Sequence, residues 1–196
     1  MKIIGITGQT GAGKSTVCQA LEKTGYYHID ADLVAREVIE KSKTVKEALA
    51  AQFGADVLLP DGKIDRKALA KKAFKTKKSA EHLSEITHPA VIDEIKKIIK
   101  KKQKEKAKGV LIDAIGLFES GLCGLCDFTV SVTAPEPIRL QRIVNRDKIS
   151  QDEAVKRIKA QKDEAYFTEN ADLVINNDGK NEIECEIKRI LAYEQS

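Results

Sequence analysis

The sequence predicts an α/β fold: a three-layer α/β/α sandwich on a five-stranded parallel sheet, carrying a helical insertion and a helical lid. Three observations predict it. Five short apolar runs, at 2–7, 26–29, 109–112, 127–132 and 173–176, alternate with helical patterns, as parallel strands joined by right-handed crossovers do. The first run passes without a gap through a glycine-rich turn into a helix start. Between the second and third runs, about 65 residues (44–108) are patterned as helix with no convincing strand.

The first run, Lys2-Ile3-Ile4-Gly5-Ile6-Thr7, suits a strand buried on both faces. It leads into Gly8-Gln9-Thr10-Gly11-Ala12-Gly13-Lys14-Ser15-Thr16, which reads G-x-x-x-x-G-K-[ST], the phosphate-binding P-loop pattern. Glycine at 8, 11 and 13 admits unusual dihedrals and a close approach to a ligand. Successive N–H groups from Gly8, Gly11, Ala12 and Gly13 through Lys14, Ser15 and Thr16 then wrap phosphates at a helix N-terminus. Lys14 reaches the β- and γ-phosphates, and the Ser15 hydroxyl can ligate Mg²⁺. The architecture is therefore that of a P-loop NTPase, and the expected ligand is a nucleoside triphosphate.

Composition narrows the class. At 196 residues the chain is one domain, or one core with an elaboration, and 42% hydrophobic with 33% charged residues describes a globular protein. No run approaches the roughly 18 apolar residues of a membrane span, and the first strand begins at once, so no membrane partner and a cytoplasmic setting are expected. Net charge is +4, with Lys96, Lys97, Lys100, Lys101, Lys102, Lys104, Lys106 and Lys108 crowded together. Without interleaved arginines or aromatics this reads as the solvated end of a long helix, not a nucleic-acid patch. The cysteines at 18, 123, 126 and 185 read as buried or incidental thiols. His28, His82 and His88 are scattered and are expected to form no metal cluster.

Taken in order, Gly25 ends the first helix and Tyr26–Ile29 is the second strand. It runs into Asp30-Ala31-Asp32, two carboxylates where α/β sheets place active sites. One of them can cap the following helix, which leaves the other, Asp32, for chemistry. Within the insertion Asp61-Gly62 is a turn and Asp65 starts a helix. Leu83 and Ile86 belong to a further segment, and His88-Pro89 opens a long helix with Pro89 in its first turn. The third strand ends in Asp113, the position of a Walker-B-type acid that holds Mg²⁺. Pro135 begins a helix on which Arg139, Arg142 and Arg146 make one positive face. Ser150 and Glu153 form a capping box for the next helix, and the last amphipathic helix contains Ile183, Ile187, Ile190 and Leu191.

A GTPase switch is a rival reading, since Asp113-Ala-Ile-Gly116 matches D-x-x-G, but no N-K-x-D follows to read guanine. A small-molecule kinase fits better: the loop, a metal, an acceptor-facing acid and an arginine-bearing lid near 135–165 are what phosphoryl transfer requires.

The ordered set of motifs resembles the dephospho-CoA kinase family. The matching residues are 6–16, Asp30-Ala31-Asp32, Phe53-Gly54, Asp61-Gly62, Ile64-Asp65-Arg66, Leu69 and His88-Pro89, then Leu117-Phe118-Glu119-Ser120-Gly121-Leu122, Arg142, Arg146-Asp147, Arg157, Gln161, Ala171-Asp172, Asn177 and Gly179. Two departures are visible: no proline follows Asp113, and Tyr166–Asn170 carries no arginine. The resemblance implies ATP-dependent phosphorylation of the 3′-hydroxyl of dephospho-coenzyme A, with another nucleoside or nucleotide kinase as the alternative. It implies a nucleotide-binding core at 1–43 and 109–196 and a helical coenzyme-A-binding domain at 44–108. Lys14, Asp32 and Arg142 are then the expected catalytic residues, with Arg146 and Asn177 joining the loop at ATP. Arg66 and His88 join Asp32 at the acceptor, and Ser15 and Asp113 hold Mg²⁺. The oligomeric state is open, with a monomer as the expectation.

Overall fold

The computed structural model describes residues 1–179 and 182–194. Its core is one sheet in the strand order β2-β3-β1-β4-β5, with β1 Lys2–Thr7, β2 Tyr26–Asp30, β3 Gly109–Asp113, β4 Phe128–Thr133 and β5 Leu173–Asn176. β1 pairs in parallel with β3, Ile6 opposite Asp113, and with β4, Thr7 opposite Ser131; β4 pairs in parallel with β5. The apolar runs are continuous because both faces are covered. Ile4, Ile6, Leu111, Ile112, Val130, Val132 and Ile175 are all fully buried, each contributing about 1.5–3 kcal/mol by leaving water.

Helices α1 Lys14–Glu22, α2 Ala31–Lys41, α3 Lys43–Phe53, α4 Arg66–Ala73 and α5 Lys77–Lys104 lie before β3. After β4 come α6 Glu136–Asp147, α7 Gln151–Lys159 and α8 Glu164–Glu169, and α9 Ile183–Tyr193 follows β5. The α7 start is the expected capping box, with Ser150 and Glu153 satisfying each other's backbone N–H groups. Sequence periodicity did not reveal α8, whose six residues span too few turns to show a repeat; it is held by the Asp163 cap on the Tyr166 N–H and by buried Phe167.

The chain divides into two compact units, Met1–Ile29 with Lys102–Ser196, and Asp30–Lys101. The first holds the sheet. The second is helical, apart from a single antiparallel bridge between Leu58 and Ile64.

Pro89 does not open a helix. It lies inside α5, which runs unbroken for 28 residues. Proline there removes the N–H that would bond the Glu85 carbonyl and crowds that carbonyl with its ring. Burial outweighs the loss: Thr87, Val91, Ile95 and Ile99 form the buried stripe of the helix on both sides of the proline. Pro89→Ala should therefore stabilise the fold by about 2 kcal/mol, the unfavourable helix term partly offset by a looser unfolded chain. Urea unfolding measures this, and an unchanged or lowered midpoint would show that the packing requires a proline bend.

The lysine-rich end of α5 is also not wholly solvated. Lys102 sits 4.0 Å above the Tyr27 ring and 2.8 Å from Glu105, and Lys108 donates to the Thr24 carbonyl at 3.1 Å. The apolar stems thus cover β2 while the ammonium groups keep polar partners.

Candidate active site

Each glycine of the loop answers to a specific crowding. Gly8 has φ +135°, and a Cβ there would lie 2.2 Å from the Val132 carbonyl oxygen of β4. Gly13, at φ +96°, caps α1 in the left-handed region, with Asn177 Nδ2 only 2.0 Å from where its Cβ would stand. The first N–H groups of α1 have no intrahelical acceptor, so they and the helix dipole favour an anion at this end.

The loop is held from behind by its carbonyls. The Ala12 oxygen accepts from Arg142 Nη1 at 3.1 Å and from Asn177 Nδ2 at 2.9 Å, and the Gly11 oxygen accepts from the same Arg142 nitrogen at 3.3 Å. In a planar trans peptide the C=O and the next N–H point in opposite directions. Fixing the Ala12 oxygen against α6 and the end of β5 therefore aims the Gly13 N–H away from them. Lys14 Nζ lies 3.4 Å from the Gly8 carbonyl oxygen, folded across the loop it belongs to.

The expected arginine face of α6 divides into three. Arg139 is buried, and its backbone comes within 2.6 Å of where a Gly11 Cβ would stand. Arg142 grips the loop carbonyls, whereas Arg146 makes a paired contact with Asp147 (2.7 and 3.0 Å) that Arg157 joins. The helix lies on the glycine loop at Arg139 and Arg142, so that part of the face meets protein, while Arg146 beyond it stays exposed. Arg146 and Arg157 hold the Asp147 carboxyl below its usual range, Arg146 contributing the larger part.

Two further contacts tie the lid to the loop, and sequence reasoning missed them. The Thr10 N–H donates to Gln161 Oε1 at 2.8 Å, and Gln9 Nε2 donates to the Lys162 carbonyl at 2.8 Å. Gln161 had a signal only as a residue of the resemblance; Gln9 had none, because its role depends on where the lid segment lands.

At the end of β3, Asp113 stands in register with Ile6 of β1, the strand that feeds the loop. Ser15 is exposed in the first turn of α1. A hydroxyl and a carboxylate are hard oxygen donors of the kind Mg²⁺ takes, so the residues present fit that ion. The histidines prove less scattered than expected: His28 Nε2 lies 3.5 Å from Asp113 Oδ2, and with Cys18 these residues offer three ligand atoms within 4.8 Å of one another. Residue spacing could not show this, because the three side chains come from α1, β2 and β3. The Cys18 thiol is raised far above its ordinary range, by burial first and then by the neighbouring Asp113 carboxylate.

Of the acidic pair, Asp30 is the helix cap. Asp30 Oδ1 accepts from the Leu33 N–H at 2.9 Å and caps α2, and Asp32 is exposed in the first turn of that helix. Arg66 opens α4, with Nη2 3.9 Å from Glu40, and His88 is half-buried near the middle of α5. Asp32, Arg66 and His88 all belong to the helical unit.

The dephospho-CoA kinase family model matches residues 2–182. The chain belongs to the dephospho-CoA kinase family. The dephospho-CoA kinase of Moorella thermoacetica is 41% identical over 91% of this chain and 85% of its own length. That of Bacillus cereus is 38% identical over 90% of this chain and 88% of its own. Among solved structures, a Thermus thermophilus protein superposes with a TM-score of 0.80 at 32% identity, covering 98% of this chain and 97% of the other. Dephospho-CoA kinase from Campylobacter jejuni follows at 0.69 and 26%, covering 97% and 95%. Shikimate kinase from Bacteroides thetaiotaomicron, at 0.56 and 19% over 100% and 99%, shares the fold. Membership in the dephospho-CoA kinase family makes this chain a kinase, with ATP as the phosphoryl source. Among the described residues no helix is long and apolar enough to cross a membrane.

Proposed function

We propose that this chain transfers the γ-phosphoryl group of ATP to the 3′-hydroxyl of dephospho-coenzyme A, giving ADP and coenzyme A. The observation that carries the reading is a phosphate loop with its glycines in left-handed conformations, inside a chain that the family matches from 2 to 182. In this reading 1–43 and 109–196 form the nucleotide core, with a lid at about 135–165, and 44–108 holds the acceptor.

The loop N–H groups and Lys14 take the β- and γ-phosphates, and the anchoring of Ala12 by Arg142 and Asn177 keeps the donors aimed before the nucleotide arrives. Ser15 and Asp113 would hold Mg²⁺, which would supply positive charge to offset that of the phosphates. Asp32 accepts the proton of the 3′-hydroxyl as that oxygen bonds to the γ-phosphorus and the bond to the β-phosphate oxygen breaks, releasing ADP. Arg142 adds positive charge beside the transferring group, Arg146 contacts the nucleotide, and the lid excludes water. Arg66 and His88 contact the acceptor far from the reacting hydroxyl. The setting is the cytoplasm, and the working form is a monomer.

Binding energy from the remote part of an acceptor is used to position its reacting hydroxyl. Truncating dephospho-coenzyme A to AMP or adenosine should therefore lower kcat/KM by about 100-fold or more, the scale of positioning effects. Steady-state ADP release with dephospho-coenzyme A, AMP, adenosine and uridine decides it. Equal or better turnover of a plain nucleoside would move the assignment to a nucleoside kinase.

A further inference from the structure

We propose that Cys18, His28 and Asp113 form a binding site for a borderline-soft divalent cation of the Zn²⁺ class, sharing Asp113 with the Mg²⁺ position assigned above. The inhibitory consequence rests on that assignment; the coordination set does not.

Three elements bring the donors together. Cys18 projects from α1, His28 from β2 and Asp113 from the end of β3, and one ligand atom from each lies within 4.8 Å of the others. Donors sharing one cation at about 2.0–2.3 Å stand roughly 3–4 Å apart. The His28 Nε2 to Asp113 Oδ2 separation, 3.5 Å, already meets that spacing. The imidazole is oriented for the task, with Nε2 toward Asp113 and Nδ1 3.9 Å from Glu22 Oε1. At 3.9 Å the Glu22 carboxylate acts on the ring as a nearby negative charge, which favours a cation at Nε2.

The donor set selects the ion. A sulfur, an imidazole nitrogen and a carboxylate oxygen suit Zn²⁺ or Co²⁺ and do not suit Mg²⁺, which demands oxygen ligands in an octahedron. A thiolate and a carboxylate together match the charge of a divalent cation at a largely buried point. The site lies close to the surface: the side chains of His28 and Asp113 keep 21% and 14% of their exposure, while Cys18 and the His28 Nε2 atom are buried. A cation held there draws Asp113 away from Mg²⁺, so Zn²⁺ should oppose turnover without touching the loop.

The test uses the full chain and Co²⁺ as a spectroscopic probe, displaced by Zn²⁺. One equivalent should bind with a thiolate-to-metal charge-transfer band. That band should vanish in Cys18→Ala, a mild change for a buried small hydrophobe. Affinity should fall by more than about 100-fold in His28→Gln, which removes a ligand, and by less in Glu22→Gln, which removes only a nearby charge. Thermal unfolding confirms that each variant is folded. A missing thiolate band, or equal affinity in folded Cys18→Ala and wild type, overturns the site. In the kinase assay with excess Mg·ATP, Zn²⁺ should inhibit the wild type and lose most of its effect on Cys18→Ala. Tight, Cys18-dependent binding that leaves turnover unchanged would uphold the site and remove Asp113 from the Mg²⁺ role.

Discussion

Lys14→Ala should lower kcat by roughly 10²–10³-fold or more while leaving the fold intact, the scale on which removal of one preorganised donor acts. The Lys14 ammonium is folded over its own loop, 3.4 Å from the Gly8 carbonyl oxygen, and in the proposed reaction it turns to the γ-phosphate as charge spreads over the transferring group. Losing it removes a point charge and no core contact. The loop keeps its other anchors, because Arg142 and Asn177 hold the Ala12 carbonyl from α6 and the end of β5. The measurement is steady-state ADP release alongside a thermal melt. A folded variant with near-normal kcat would exclude Lys14 from transfer, whatever its effect on ATP affinity.

Asp32→Asn should reduce kcat by about 10²–10⁴-fold with ATP affinity little changed, the range for a positioned general base. The substitution leaves the helix cap in place, because Asp30 and not Asp32 accepts the Leu33 N–H and caps α2. The complementary variant, Asp30→Ala, should instead cost about 1 kcal/mol of stability through the lost cap. Nucleotide binding measured by calorimetry, together with single-turnover rates, separates the two roles. A collapse of ATP affinity with a normal single-turnover rate would make Asp32 a nucleotide or metal ligand and not the base.

Most of the nucleotide-binding element was legible in the chain because its physics is local. A strand buried on both faces must be a continuous apolar run, and a phosphate loop must place glycine where φ is positive, as at Gly8, Gly11 and Gly13. The capping box at Ser150 and Glu153 and the helix cap at Asp30 are equally local, each closing within three residues. Family resemblance extended the reading to Arg142 and Asn177, though not to what they touch.

Tertiary structure decided what depends on contacts between distant segments. The sheet order β2-β3-β1-β4-β5 is a choice among crossovers that strand composition does not encode. Whether Pro89 opens a helix or lies inside one depended on a buried stripe outweighing one lost hydrogen bond. The three arginines of α6, alike by spacing, separate into a buried residue, a loop anchor and a salt-bridge partner because that helix rests on glycines with no side chains to hold it off. Cys18 and His28 carried no signal beside Asp113 until α1, β2 and β3 packed together. Periodicity and capping act over a few residues and can be read along the chain, whereas side chains from separate elements meet only once the sheet has assembled.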